Sequence, residues 1–292
     1  MTPTSWVTAT DGVKLAVYEA GDPAAATVVA IHGYPDNASV WDGVTQLLRD
    51  RYHVVSYDVR GAGHSAAPAD RAGYRLDQLE ADLAAVIEAA SPDRPVHLLA
   101  HDWGSIQGWH CVTGDRLRGR IASYTSISGP GLDQAARWLR SKLRPSPREL
   151  ATLLRQLGSS YYLLIFQLPV LPELGWRSGI FDRLMGGRPT ADERKLADKI
   201  NGLELYRANR RPRRSSSTAG RTDIPTQVLA PTGDPFVGQP LQTEAPVPYA
   251  SDLRIHSVAG GHWIMQRHPE VVAQACVDLI EEVERAAHPG TG

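Results

Sequence analysis

The stretch Val96–Ser105, VHLLAHDWGS, runs an apolar segment into a turn whose acidic residue, Asp102, has Ala100 and Gly104 two positions to either side. Small residues flank the centre of such a turn because a sharp strand–turn–helix brings backbones into close approach. The turn lifts one side chain clear of the carboxyl edge of a sheet, where open α/β sheets bind ligands. In the serine version of this turn the lifted residue is a hydroxyl nucleophile. Here it is a carboxylate, which can attack an electrophilic carbon and form a covalent ester. The bland alternative is an Asp that merely fills a tight turn.

The elements around this turn follow from hydrophobic periodicity. Val13–Tyr18 reads as a strand, Thr27–Ile31 as a buried strand ending at His32-Gly33, and Trp41–Leu48 as helical. His53–Tyr57, Val96–Ala100 and Ile121–Ser126 read as further strands, Leu76–Ala90 as an amphipathic helix, and Ser105–Val112 as the start of another. Short apolar runs alternating with amphipathic helices imply an α/β protein with a parallel sheet covered on both faces. The alternation breaks at Ser128-Gly-Pro-Gly131, a strong loop signal, and gives way to a helical, proline-punctuated stretch with Pro145, Pro147, Pro169, Pro172 and Pro189. It resumes at Ile224–Ala230 and Leu253–Val258 and closes in a helix over Pro269–Ala287.

Further motifs sit where these strands end: His32-Gly-Tyr-Pro35, Asp58-Val-Arg-Gly-Ala-Gly-His-Ser65 and Gly260-Gly-His-Trp263. Together with His101-Asp-Trp-Gly104 they resemble the α/β-hydrolase-fold epoxide hydrolases. The resemblance implies a mostly parallel central sheet flanked by helices, with residues 1–130 and 218–292 as the core domain and 131–217 as an inserted helical cap. It places Asp102 on the family's nucleophile, His262 on its base and Asp234, in Thr232-Gly-Asp-Pro235, on the acid that partners the base. His256 and His268 compete with His262, but neither follows a Gly-Gly loop after a strand. Asp223 competes with Asp234, but it precedes its strand and would sit at the wrong edge of the sheet. The cap is also similar to that of hydrolases fused to a short-chain dehydrogenase, and the chain ends in the flexible-looking tail His288-Pro-Gly-Thr-Gly292.

Family members donate hydrogen bonds to the epoxide oxygen from two cap tyrosines. One precedes a Phe-Gln pair by four residues, which from Phe166-Gln167 points to Tyr162, with Tyr161 as its adjacent competitor. The other opens a Tyr-Arg pair, here Tyr206-Arg207. The resemblance assigns the oxyanion hole to the backbone N–H groups of Trp103 and Tyr34. It sets Pro35, Phe166 and Trp263 along the substrate, with Pro35 shaping its loop through a cis peptide. It implies ring opening by Asp102, then hydrolysis of the ester by water that His262 activates, with no metal or organic cofactor. Asp58 and Arg60 read as fixing loop geometry through an ion pair. Gly61 and Gly63 serve a turn, because the G-x-G lacks the third glycine and acidic partner of a phosphate loop.

Composition bounds the remaining classes. The 292 residues carry 31 Lys+Arg against 32 Asp+Glu, a net charge of −1 that makes nucleic acid an unlikely partner. That total conceals an asymmetry: Gly131–Ser217 holds 17 basic and 8 acidic residues, or +9, which leaves −10 for the rest. The ordinary reading is a solvated Arg-rich surface; the other is a basic, partly apolar cap that makes peripheral contact with an anionic membrane. Cys111 and Cys276 form no disulfide framework or metal-ligand spacing, and no apolar run could span a bilayer, so the expected location is cytoplasmic, with membrane association through the cap. The apolar run Tyr161–Val170 fits a lipophilic epoxide as the small-molecule substrate and, equally, packing of the cap against the core domain. Two rivals remain open. A haloalkane dehalogenase would use Trp138 or Trp176 on halide, and a non-catalytic hydrolase-fold protein would only bind a ligand.

Overall fold

A computed structural model describes residues 2–143, 146–184, 195–210 and 220–287. Among them eight strands form one sheet: β1 (Ser5–Thr8), β2 (Lys14–Ala20), β3 (Thr27–Ile31), β4 (His53–Tyr57), β5 (Val96–His101), β6 (Ile121–Ile127), β7 (Thr226–Pro231) and β8 (Leu253–Val258). Their order is β1-β2-β4-β3-β5-β6-β7-β8, with β3 to β8 parallel and the β1–β2 and β2–β4 pairs antiparallel. Every residue of β3, β4, β5 and β7 is buried, as parallel strands covered on both faces require.

Side-chain alternation divides the core between the two faces. Val28 and Ala30 of β3 join Val54, Leu99 and Leu229 beneath α1 (Asp42–Leu48). Val29 and Ile31 join Val55, Leu98 and Val228 beneath α2 (Leu76–Ala90) and α3 (Trp103–Val112). The first face is completed by the C-terminal helix, which buries Val272, Ala273, Cys276, Leu279 and Ile280 at helical spacing.

Between β6 and β7 the described residues form α4 (Leu132–Ser141), α5 (Pro147–Ser159), α6 (Tyr162–Ile165), α7 (Leu171–Arg177), α8 (Ile180–Leu184) and α9 (Leu196–Ala208). After β7 come α10 (Gln239–Glu244), α11 (Ile264–Arg267) and α12 (Pro269–Ala287). α9 fastens the inserted helices to the sheet. The Tyr34 hydroxyl donates to the Lys199 carbonyl at 2.7 Å, Asn201 to the Gly61 carbonyl at 3.0 Å, and Asn209 to the Tyr74 carbonyl at 2.9 Å.

The expected elements are present with small differences. β1 was not expected: four residues that alternate between half-buried and exposed leave no apolar run to read. α3 begins at Trp103 rather than Ser105, directly after the turn. The expected insertion boundary at 217/218, the Arg/Ser segment 211–217, Pro145, Pro189 and the tail 288–292 lie outside the described residues.

Asp58 and Arg60 do not pair with each other, because each is taken up by other partners. Asp58 accepts from the Tyr18 hydroxyl at 2.7 Å and from the backbone N–H groups of Ala38 and His64, both at 2.8 Å. Arg60, fully buried, donates twice to Asp82 at 2.6 Å and to Asp11 at 2.7 Å. Truncating one partner of a buried pair strands the other charge, so Arg60→Ala is expected to cost about 3–5 kcal/mol of stability. Urea denaturation checks this; a loss below about 1 kcal/mol would contradict it.

Candidate active site

The strand order reverses direction about β3, which pairs with β4 on one side and β5 on the other. Ile31 is level with Ala100, so the segments leaving β3 and β5 open side by side at the carboxyl edge. Ligands bind at such a switch point. Tyr34 leaves the end of β3, Asp102 the end of β5, Asp234 the end of β7 and His262 the end of β8.

Asp102 has φ +51°, ψ −119°, a left-handed conformation that L-residues adopt only under compulsion. Close approach enforces it. A Cβ on Gly104 would stand 2.4 Å from the Ile31 carbonyl oxygen, and one on Gly33 would stand 2.4 Å from the Asp102 Cβ. The Tyr34 N–H donates to Asp102 Oδ1 at 2.8 Å, and the Trp103 backbone N–H also bonds this carboxylate. The Tyr34–Pro35 peptide is cis, and Pro35 is buried. His32 fixes this loop: its Nδ1 bonds the Gly33 carbonyl at 2.8 Å and its Nε2 accepts the Val59 N–H at 2.8 Å.

On the opposite side of the carboxylate, His262 Nε2 stands 3.8 Å from Asp102 Oδ2. Its Nδ1 bonds Asp234 Oδ2 at 2.9 Å. The other Asp234 oxygen accepts the Phe236 and Val237 N–H groups at 2.9 and 3.1 Å, so the acid is held from both ends. The competitors fall elsewhere. His256 is exposed on β8, His268 is exposed beside Glu270, and Asp223 precedes β7 and takes the Ser251 hydroxyl.

Burial raises the Asp102 pKa to about 6, against the pull of His262 and the two backbone donors. Burial alone would discharge His262, but Asp234, then Asp102 and Asp36, outweigh it and raise its pKa to about 9. At neutral pH the pair is therefore carboxylate and imidazolium.

The inserted helices close the site with aromatic rings. Tyr206, on α9, lies edge-on to Trp103 at 4.9 Å between ring centroids and to Tyr34 at 5.3 Å. Tyr162, on α6, faces Tyr206 at 6.3 Å and Phe236 at 5.7 Å. Of the adjacent pair, Tyr161 is half exposed, and it is Tyr162 that enters the cluster. Burial first, then the charge of Asp102 for Tyr162 and the neighbouring Tyr162 followed by Asp102 for Tyr206, raises both phenol pKa values well above the usual tyrosine range, so both keep their protons. Phe166 is fully buried behind the tyrosines, at 5.3 Å from Tyr162 and 5.1 Å from Tyr206. The two dipeptides that flagged these tyrosines bond each other: Gln167 donates to the Tyr206 carbonyl at 3.1 Å, and Arg207 to the Phe166 carbonyl at 3.1 Å. Trp263 packs edge-on against His262 at 5.0 Å.

Three residues at the site had no assigned role in the sequence reading. Phe236 bridges cap and base, 5.0 Å from the His262 ring, and its place two residues past Asp234 was the available signal. Asp36, buried, accepts the Trp263 indole N–H at 2.8 Å and adds negative charge near His262. His101 bonds the His262 carbonyl through Nε2 at 2.9 Å, and burial keeps it neutral. Trp138 lies apart, its indole N–H on Glu244 at 2.8 Å, whereas Trp176 packs edge-on to Tyr34 at 6.1 Å.

Among the described residues the group best arranged for a metal ion is Asp77, Glu80 and His110, well along α2 and α3 from the turn. Arg116 stands 3.4 Å from Glu80, so these side chains form a charge network rather than an open ligand set.

A family profile described as the alpha/beta hydrolase fold matches residues 26–269. The chain belongs to the α/β-hydrolase-fold family. Within it the chain is 35% identical over 287 residues to the "Probable oxidoreductase EphD" of Mycobacterium tuberculosis, covering 93% of this chain and 48% of that relative. It thus spans about half the length of that relative. It is 28% identical to the "Epoxide hydrolase A" of the same organism, over 97% of this chain and 98% of that one. The crystal structure of a Bacillus megaterium epoxide hydrolase with an inhibitor superposes with a TM-score of 0.77 at 21% identity, covering 95% of this chain and all of that one. Epoxide Hydrolase A from Mycobacterium thermoresistibile gives 0.72 at 22%, covering 96% and 98%. This hydrolase fold carries the site described above.

The charge coupling across the site is directly measurable. If Asp102 helps hold the proton on His262, Asp102→Asn removes a negative charge and must lower the His262 pKa from about 9. NMR titration of the imidazole reads this; an unchanged or higher value would contradict the coupling.

Proposed function

We propose that this chain is an epoxide hydrolase, converting an epoxide and water to a vicinal diol through a covalent Asp102 ester. The observation that carries the reading is the buried Asp102 carboxylate, with a His–Asp pair on one side and two proton-bearing phenols in the cap across from it. The relatives named epoxide hydrolase support it.

Asp102 Oδ2 attacks a ring carbon as the carbon–oxygen bond of the epoxide breaks. Tyr162 and Tyr206 hydrogen-bond the departing oxygen, and one of them supplies its proton. The tyrosine pairing favours this leaving group over halide, which has no proton to accept. Oδ1 stays on the Tyr34 N–H group, and the Trp103 N–H also bonds this carboxyl, the position of an oxyanion hole.

Ester formation removes the negative charge of Asp102, so the His262 pKa falls and the ring can give up its proton. Neutral His262 then deprotonates a water, which attacks the ester carbonyl carbon. Asp234 keeps the imidazole oriented and stabilises its charged form. The proton His262 gives up returns to the phenolate left by ring opening, and collapse then releases the diol, restores the Asp102 carboxylate and leaves His262 protonated by the attacking water. The aromatic walls formed by Trp103, Phe236 and the tyrosines favour a lipophilic epoxide. No step calls on a metal or organic cofactor.

Three results follow for a reactive lipophilic epoxide. His262→Gln should accumulate an adduct of substrate mass on the Asp102 peptide in single-turnover mass spectrometry; no adduct with any reactive epoxide would rule out covalent catalysis. Tyr162→Phe and Tyr206→Phe should each slow alkylation by about 10²-fold or more with the fold intact. Unchanged rates in both would remove their role. Because the nucleophile must be ionised, alkylation by the parent protein should fall away below a pH of about 6; a rate undiminished at pH 4 would contradict that.

A further inference from the structure

Helix α5 carries one apolar stripe, Leu150, Leu153, Leu154 and Leu157 at i, i+3, i+4 and i+7, and the fold covers only part of it. Leu153 and Gln156 are buried, whereas Leu150, Leu154 and Leu157, spaced i, i+4, i+7 along one side, are 48%, 59% and 50% exposed. Leu164 on α6 is 75% exposed, and Leu171 and Leu174 on α7 are each more than half exposed. Single exposed leucines need no explanation, but thirteen of the eighteen large apolar side chains exposed among the described residues fall between Leu143 and Leu184.

The charges in this stretch are sorted as well. Its acids are engaged: Glu149 with Lys142 at 2.6 Å, Glu173 with Arg207 at 2.7 Å and Asp182 with Lys199 at 2.7 Å. Arg148, Arg155, Arg177 and Arg183 are exposed and have no ion-pair partner among the described residues. The surface therefore offers apolar side chains flanked by uncompensated positive charge.

We propose that the α5–α7 face of the cap is a docking surface for an anionic lipid bilayer. Anionic headgroups answer the arginines while the acyl boundary receives the leucines, the combination that holds interfacial helices in place. A second copy of the chain fits less well, because pairing this face with itself brings arginine against arginine. No helix among the described residues is long and apolar enough to cross a membrane, so the contact is peripheral. α6 carries both Leu164 and Tyr162, so a docked cap sets the site's entrance beside a pool of lipophilic molecules. That last consequence rests on the epoxide-hydrolase reading; the docking itself does not.

Cosedimentation with vesicles, with no epoxide present, tests the docking separately from catalysis. The protein should bind phosphatidylglycerol/phosphatidylcholine vesicles at low salt, bind pure phosphatidylcholine far less, and be released by added salt. Arg148→Gln with Arg155→Gln should lower the partition coefficient by about 25-fold, at about fivefold per arginine. Leu154→Gln with Leu157→Gln should lower it at least about tenfold. All four side chains are exposed, so the variants should keep the parent melting temperature. Failure of the parent protein to bind anionic vesicles at low salt would overturn the proposal, as would binding indifferent to the leucine pair. So would a dimer in sedimentation velocity that the leucine changes dissolve, which would assign the face to a second copy.

Discussion

A carboxylate taken out of water needs compensation, and around Asp102 that requirement organises the molecule. Two backbone N–H groups hold one side of it and an imidazole faces the other. Neither can reach it unless β3, β5 and β8 end together at one edge of the sheet. The left-handed turn at Asp102 is the local cost, of order 1–3 kcal/mol, and tight packing against Gly33 and Gly104 imposes it. The same charge sets the protonation of its neighbours, sustaining the imidazolium of His262 and discouraging ionisation of Tyr162 and Tyr206. This buried charge thus acts on the imidazole on one side and on the two phenols on the other, alongside burial and, for His262, the nearer Asp234.

The cap completes this arrangement because it is tied to itself and to the sheet where the tyrosines emerge. Arg207 reaches the carbonyls of Phe166 and Leu168 and the carboxylates of Glu173 and Glu204, linking the segment after α6 to α9. Tyr34 ties the same helix to the loop after β3 through its hydroxyl, so its backbone and side chain serve different layers. The outward side of α5 to α7 has no such anchoring. Near the site Glu173 and Asp182 pair with Arg207 and Lys199, whereas Arg148, Arg155, Arg177 and Arg183 have no ion-pair partner among the described residues.

How far the sequence could be read depended on whether a feature was local. Buried parallel strands such as Thr27–Ile31 and Val96–His101 announce themselves as apolar runs, and the turns after them carry the motifs around His32 and Asp102. The four-residue β1, half exposed at the sheet's edge, left no such trace. Long-range partners were also hidden. Arg60 is held by Asp11 and Asp82, and Trp263 by Asp36, through contacts that no short motif encodes. Phe236, which no motif singles out, is set between Tyr162 and His262 by the fold. Exposure was the least legible property. The leucines of α5 form one helical stripe, and only the packed structure reveals that Leu153 is covered while Leu150, Leu154 and Leu157 are not.

The central claim is that the new oxygen of the product comes from Asp102 and not directly from water. A single turnover in heavy-oxygen water, with enzyme in excess over a reactive lipophilic epoxide, measures this. The account predicts a diol without label and a heavy oxygen in the carboxylate of the Asp102 peptide. A labelled diol from the first turnover, with an unlabelled Asp102, would contradict it.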